Sequence, residues 1–370
     1  MKVLILGCGM QGRVVAQALT GFTDKITVLD IDKNNLSQLK IPGIKKLQFD
    51  IKSQKKLIRL MSNYDLIIGA LPAKFGFYSW ECALDAGVDI VDMSYSPNDP
   101  FLLDKEAKKA RIKIVPDAGF APGLSNVLVG EGYNQMERID HLKIMVGGIP
   151  EKPVPPFNYR ITWSPQDLIE EYTRPARIYK NFKILTVCAL TGIEEFYIPD
   201  IGKLEAFYTD GLRTLLKTMQ KIKNMEEKTI RYCGHATIFK NLIDWKFFSD
   251  TPIKINNIEV PCREFTFRYL KNELSKGSEY DLTILFIQLK GSKELRQYRI
   301  IDYYDKKTHT TSMARMTAYS CAIIARCLKD YPKNGVIPPE YLGMVPDFCN
   351  FIKTELKKRG IKIIKSGKKF

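Results

Sequence analysis

The stretch Val3-Leu4-Ile5-Leu6-Gly7-Cys8-Gly9-Met10-Gln11-Gly12 decides the fold. Its four apolar residues read as a buried strand, and the glycine spacing G-x-G-x-x-G follows without a break. Val14, Val15, Ala18 and Leu19 then recur at helical spacing. A strand passing through such a loop into a helix is a dinucleotide-binding turn. Gly7 permits the tight turn, Gly9 lets the backbone approach a pyrophosphate, and Gly12 lets helix and strand pack closely. The start of the helix offers N–H groups and a partial positive charge to phosphates, so Met10 and Gln11 join the three glycines as cofactor-binding candidates.

The same alternation extends outward. Apolar runs at 2–6, 26–30, 46–49, 66–69, 90–92 and 112–115 read as strands, and the segments 14–19, 55–61, 78–86 and 102–110 as helices. Short apolar strands separated by amphipathic helices predict an α/β fold, a Rossmann-type doubly wound parallel sheet with right-handed crossovers. Ligands of such sheets bind beyond the carboxyl ends of the strands. Asp30 ends the second strand, where a carboxylate accepts the hydroxyls of an adenosine ribose and repels a 2′-phosphate. No arginine sits just after it, so NAD is favoured, with NADP possible. Asp50 and Ile51 end the third strand near the adenine, and Ala70, Leu71 and Pro72 end the fourth near the nicotinamide ribose. Ser94 lies on the same edge.

A chain of 370 residues exceeds one ordinary core, so a second domain is expected. The composition, 45% hydrophobic and 26% charged, excludes a disordered chain. Eight cysteines without a Cys-x-x-Cys pair and three scattered histidines give no metal-ligand spacing, so no metal is expected. The chain opens on a strand and holds no run of 18 apolar residues, which points to a cytoplasmic protein without a membrane partner. Of the net charge of +16, +7 lies in the short stretch from Lys353 to Phe370, with eight basic residues against one acidic, and the remainder is spread along the chain. The remaining lysines lack interleaved aromatics, so a solvated surface is expected and no nucleic-acid partner.

Beyond residue 115 the sequence acquires an individual character. Val115-Pro116-Asp117-Ala118-Gly119-Phe120-Ala121-Pro122-Gly123-Leu124-Ser125-Asn126 is followed by Val146-Gly147-Gly148-Ile149-Pro150, Pro155-Pro156-Phe157-Asn158-Tyr159 and Trp163-Ser164-Pro165. Asp167-Leu168-Ile169-Glu170-Glu171-Tyr172-Thr173-Arg174-Pro175-Ala176, Phe207-Tyr208-Thr209-Asp210-Gly211-Leu212-Arg213 and Thr229-Ile230-Arg231-Tyr232-Cys233-Gly234-His235 complete the pattern. Over nearly its whole length the chain resembles the saccharopine dehydrogenase family, most closely the branch with lysine 6-dehydrogenases. The resemblance implies an NAD(P)-dependent oxidation at a carbon bearing nitrogen in an amino-acid substrate. Three reactions are open: oxidative deamination of L-lysine at the ε-carbon, saccharopine oxidation to glutamate and an aldehyde, and carboxynorspermidine dehydrogenation. It also implies a mixed-sheet substrate and dimerisation domain, about 123–310, inserted into a nucleotide domain of 1–122 and about 311–370, and a homodimer. The saccharopine-making members carry an aspartate where this chain has Ala121, which favours lysine.

Amine oxidation needs a neutral nitrogen, hence a proton acceptor, and an amino-acid substrate needs a cation for its carboxylate. Arg213 and Arg231, in family-like motifs, are the anchoring candidates, with Tyr95 as a hydroxyl donor. Lys74, Asp117 and His235 are the candidate catalytic groups. Lys74 would act through burial beside the nicotinamide, Asp117 as a base at a strand end, and His235 as a proton shuttle. A nucleotide-sensing module would keep the loop and Asp30 without needing the arginines; steady NADH release on adding lysine separates the two readings.

Overall fold

In the computed structural model, which describes residues 1–23 and 25–370, the chain divides into two units, Met1–Glu137 with Ala314–Ile363 and Arg138–Met313 with Ile364–Phe370. The first stretch runs β1 (Lys2–Leu6), α1 (Met10–Leu19), β2 (Lys25–Asp30), α2 (Lys33–Gln38), β3 (Lys45–Gln48), α3 (Gln54–Met61), β4 (Leu66–Gly69), α4 (Gly76–Ala86), β5 (Asp89–Asp92), α5 (Asp104–Ala110), β6 (Lys113–Val115) and α6 (Leu124–Gln135). The second unit holds β7 (His141–Pro150), α7 (Pro165–Thr173), β8 (Ala176–Lys180), β9 (Lys183–Val187), β10 (Glu194–Ile198), β11 (Gly202–Tyr208), α8 (Leu215–Thr218), β12 (Asn224–Tyr232), α9 (His235–Asp244), β13 (Pro252–Ile255), β14 (Ile258–Pro261), α10 (Cys262–Glu273), β15 (Asp281–Lys290) and β16 (Glu294–Tyr303). The chain returns through α11 (Ser312–Leu328), β17 (Gly335–Val336), α12 (Pro339–Met344) and α13 (Pro346–Lys358), and ends in β18 (Ile364–Lys369).

The first sheet has the order β17-β6-β5-β4-β1-β2-β3, and all its pairings are parallel. Strand order reverses between β1 and β4, which places the glycine loop at the switch point where dinucleotides bind. The alternation read from the sequence is present, because Leu4, Leu6, Leu29, Ile67, Ile90 and Ile114 bury one face against helices that include Trp80. Several elements of the first unit escaped the reading, among them α2 and β17. The polar helix α2 buries only Leu36, and the two-residue β17 is held by the Gly335 and Ile337 N–H groups on the carbonyls of Ile112 and Ile114.

The second sheet is mixed, in the order β10-β11-β12-β7-β15-β16-β18, with β8 joined to β12 and β9 to β8. β12 and β7 are parallel, whereas β7 and β15 pair antiparallel over all ten residues. Tyr159, Tyr172, Phe207, Phe239 and Leu270 form a core with residues of α7, α9 and α10.

The unit limits differ from the expected segments at two places. Helix α6 lies in the first unit, because glycines bring it against α12 backbone to backbone. A Cβ on Gly130 would collide with the Glu340 carbonyl, and one on Gly343 with that of Val127. The basic end segment lies in the second unit, where β18 pairs with β16 from Arg299↔Ile364 to Glu294↔Lys369. Among the described residues no helix is long and apolar enough to cross a membrane, and no group of three His, Cys, Asp or Glu could hold a metal.

Candidate active site

Each unit holds its own set of candidate residues. In the first, Gly7 adopts φ +101° and its N–H donates to the Leu29 carbonyl at 2.9 Å. A Cβ on Gly12 would collide with the Gly7 carbonyl, so only glycine lets α1 start this close to β1. A Cβ on Gly9 would meet nothing within 4 Å. The backbone at Gly9 is therefore open on the side a pyrophosphate approaches, and the loop fits a dinucleotide. Met10 and Gln11 open α1 over an N-cap glycine with no side chain to occupy the helix end.

Asp30 is tied into the loop. Its Oδ2 accepts the Cys8 N–H at 2.8 Å and the Asn35 amide at 3.3 Å, and its Oδ1 accepts the Asp32 N–H at 2.8 Å. Arg13 donates to the Cys8 carbonyl at 3.0 Å. Asp50 is exposed and accepts the Lys52 N–H, while the carbonyl of buried Ile51 accepts the Tyr78 hydroxyl at 2.8 Å. Ala70 hydrogen-bonds to Leu6 across the switch point. Leu71 is half-buried and Pro72 exposed.

Lys74 does not meet the condition set for it. It lies exposed in a single turn, 73–75, with Nζ 5.1 Å from the Phe75 ring, so the burial expected of it is not present. Ser94 is hydrogen-bonded to Asp92. Its hydroxyl and N–H donate to the two Asp92 oxygens at 2.8 Å each, and Trp80 Nε1 adds a third bond at 2.6 Å. Burial pushes the Asp92 carboxyl up to about 6 against these donors, with Asp117 adding to the rise. Asp117 is itself buried at φ 54°, and Tyr95 is half-buried beside the cluster in sequence.

In the second unit, a continuous set of polar contacts joins β12, α7 and α9. Arg231, 3% exposed, donates from Nε to the Tyr172 hydroxyl at 2.8 Å, from Nη1 to the Ile230 carbonyl at 2.8 Å and from Nη2 to Glu171 at 3.3 Å. Its guanidinium also stacks over Tyr159, 4.6 Å from the ring centre. Burial opposes this charge, but Tyr159, Tyr172 and Glu171 hold its pKa above the ordinary arginine value. The Tyr172 hydroxyl lies 2.9 Å from His235 Nε2, and His235 Nδ1 lies 2.8 Å from the Phe157 carbonyl. Arginine can only donate and a carbonyl can only accept, so the proton directions are fixed from both ends. Tyr172 gives its proton to Nε2, and His235 carries its own on Nδ1.

His235 therefore does not serve as the proton shuttle expected from the sequence. It is fully buried, and burial followed by the charge of Arg231 pushes its pKa down to about 3. Its neutral ring positions Tyr172. The start of α9 is instead occupied by Glu205, whose oxygens accept the Gly234 N–H at 3.0 Å and the Ala236 N–H at 2.6 Å. Arg213 is also buried, at φ 51° on the turn after β11. Glu171, Tyr172 and Glu205 were not singled out from the sequence. Glu171 and Tyr172 stand in the quoted 167–176 block, but adjacent Glu170 and Glu171 look alike until the helix face is known.

Two family models match the chain: the saccharopine dehydrogenase NADP binding domain over residues 3–115 and the saccharopine dehydrogenase C-terminal domain over residues 119–361. Among curated proteins, the chain is 26% identical over 282 residues to the NADP(+), L-glutamate-forming saccharopine dehydrogenase of Saccharomyces cerevisiae, covering 73% of this chain and 63% of that enzyme. It is 28% identical over 195 residues to the mitochondrial alpha-aminoadipic semialdehyde synthase of Rattus norvegicus, covering 50% of this chain and 21% of that protein. The chain thus spans less than two thirds of the length of these relatives. A solved structure of apo saccharopine dehydrogenase (L-Glu forming) from Saccharomyces cerevisiae superposes with a TM-score of 0.79 over 99% of both chains, at 20% identity.

Proposed function

The chain belongs to the saccharopine dehydrogenase family, and from that premise we propose that it is an NAD(P)-dependent oxidoreductase acting on a carbon–nitrogen bond of an amino acid in lysine metabolism. The observation that carries this reading is the Gly7–Gly12 loop at the switch point, open at Gly9 and braced by Asp30. A nicotinamide dinucleotide held there would accept hydride from the substrate carbon. The chain's own residues would supply the rest: Arg213 or Arg231 the cation for the substrate carboxylate, and a carboxylate the acceptor for the ammonium proton. Arg231 shares its charge with Glu171, and both arginines remain candidates for the anchor.

Within this reading the proposed substrate is L-lysine, oxidised at the ε-carbon, because Ala121 presents a methyl group where a carboxylate would hold or deprotonate a secondary amine. Saccharopine is the second reading, favoured by the activity of the yeast relative. An absorbance assay for NAD(P)H with lysine, saccharopine, ornithine and carboxynorspermidine separates them. Lysine is expected to turn over fastest, with ornithine about 10- to 200-fold slower for one missing methylene. Faster turnover of saccharopine than lysine would transfer the assignment to the second reading.

A further inference from the structure

Four oxygens stand in a row inside the second unit. The Glu227 carboxyl is 2.7 Å from the Thr209 hydroxyl, Thr209 is 2.8 Å from the Thr229 hydroxyl, and Thr229 is 2.6 Å from the Glu171 carboxyl. Oxygens this close need a hydrogen between each pair. The three contacts need three hydrogens, and two threonine hydroxyls supply two. The third must come from a carboxyl group, so Glu171 and Glu227 hold one proton between them.

The surroundings decide where it rests. Glu171 lies beside the Arg231 guanidinium, and its side chain is 19% exposed. Glu227 is buried. The charged groups that face it are Glu171 from α7 and Asp210 from the turn after β11, both acidic. Asp210 is paired with Arg177 of β8 at 2.8 Å and with Arg174 at 3.8 Å. The Gly211 N–H donates to the same Glu227 oxygen at 3.1 Å. Burial, followed by these acids, pushes the Glu227 carboxyl up to about 8 even though Thr209 and Gly211 favour its ionised form. The resting arrangement is a protonated Glu227 with its hydrogens directed through Thr209 and Thr229 toward an ionised Glu171, which in turn balances Arg231.

We propose that Glu171, Thr229, Thr209 and Glu227 form a one-proton relay that exchanges a proton with the substrate nitrogen at its Glu171 end. The proposal rests on the reading of the chain as an amine or imine oxidoreductase. In the reductive direction, for which a bound dinucleotide would supply the hydride, the proton held at Glu227 shifts along the row to Glu171, which passes it to the nitrogen and is a carboxylate again. In that shift Glu227 gives its hydrogen to Thr209, Thr209 gives its own to Thr229, and Thr229 gives its own to Glu171, so Glu227 is left as a carboxylate until the row takes up a proton from solvent. Oxidation runs each transfer backward, with the nitrogen losing the proton and the carbon losing hydride with its electron pair. Glu171 is then a catalytic residue, and the other three position and refill its proton.

Two measurements on the full chain test this. Infrared spectra across a pH series need no substrate: the C=O band of a protonated carboxyl, absent from Glu227→Gln, should persist at pH 7 and fade as pH passes about 8. A wild-type spectrum without that band at pH 7 overturns the proposal whatever the enzyme acts on. In the kinetic arm, Thr209→Val keeps the side-chain shape but breaks the row, while Thr209→Ser keeps the hydroxyl. Valine should lower kcat about 100-fold, the scale of general acid–base catalysis, with KM little changed and the alkaline limb of the pH profile lost. Serine should restore both. Equal kcat for Thr209→Val and wild type, with the infrared band present, overturns the relay. Failure of every amine in the substrate assay would instead count against the proposed function.

Discussion

The glycine loop of the first unit and the buried polar row of the second are both made of closely packed groups, but they are built on opposite principles. At Gly7 and Gly12 the fit depends on what is missing. Two side chains are reduced to hydrogen so that backbone can pass backbone. Around Arg231 the fit depends on what is present, since each of its three nitrogens has a partner of complementary type. A backbone device can be specified by a few neighbouring residues. A side-chain device must be assembled from elements distant in the chain: Phe157, α7, the turn at Thr209, β12 and α9.

The largest expected effect comes from breaking the second device. Arg231→Met retains much of the volume but removes the charge, leaving Glu171 ionised and Tyr172 without its donor. Removing one partner of a buried ion pair costs about 3–5 kcal/mol, more than most surface pairs contribute in total. Urea unfolding should show a loss of that size at neutral pH. A loss below about 1 kcal/mol would mean that solvent reaches the guanidinium and that the cluster is not the closed assembly described. The exposed pair Lys240–Asp244, 2.8 Å apart on α9, provides the control, with an expected change far smaller than that of Arg231→Met.

This contrast also explains what could be read from the sequence. β1, the loop, α1 and Asp30 are local, and the alternation of apolar runs recovered the strands of the first sheet up to β6. β17 was missed because two residues carry no period. The candidates in the second unit were chosen by residue type within motif-like stretches, and type alone does not report burial. His235 has the ordinary pKa of a shuttle, but its place at the start of α9, under Arg231 and against the Phe157 carbonyl, makes it a neutral bridge. The Glu171–Glu227 row joins residues from α7, β12 and the turn after β11, and no spacing in the sequence connects them.

The next effect in size is a pH dependence. His235 has a folded pKa of about 3, below the ordinary value of about 6.5 that the unfolded chain restores. Between the two values the unfolded chain binds a proton that the native state refuses, so stability rises with pH across this window and is lost as pH falls through it. The slope from this one residue is at most about 1.4 kcal/mol per pH unit. The raised carboxyls of Asp92 and Asp281, both at about 6, act in the opposite sense, because their native forms retain a proton the unfolded chain has released. The contribution of His235 is therefore read as a difference: the stability gap between wild type and His235→Phe should narrow steadily from pH 6.5 toward pH 4. A constant gap would show that the ring is protonated in the native state.

The smallest expected effect tests the first device. Asp30 has two tasks that its position in the sequence did not separate. Its oxygens hold the Cys8 and Asp32 N–H groups, and in the proposed complex they also accept ribose hydroxyls and repel a 2′-phosphate. Asp30→Ala removes both, but the consequences divide. Loss of the backbone bonds loosens the loop for NAD and NADP alike, by about 0.5–1.5 kcal/mol per bond. Loss of the ribose bonds weakens NAD alone, and loss of the charge favours NADP. The ratio of the two dissociation constants, measured by fluorescence titration of the reduced cofactors, cancels the common part and should move toward NADP by about tenfold, equivalent to about 1.4 kcal/mol. Asp30→Asn should keep part of the backbone bonding and move the ratio less. If both cofactors weaken equally in Asp30→Ala, the carboxylate is only a brace for the loop, and the choice between NAD and NADP is made by other residues.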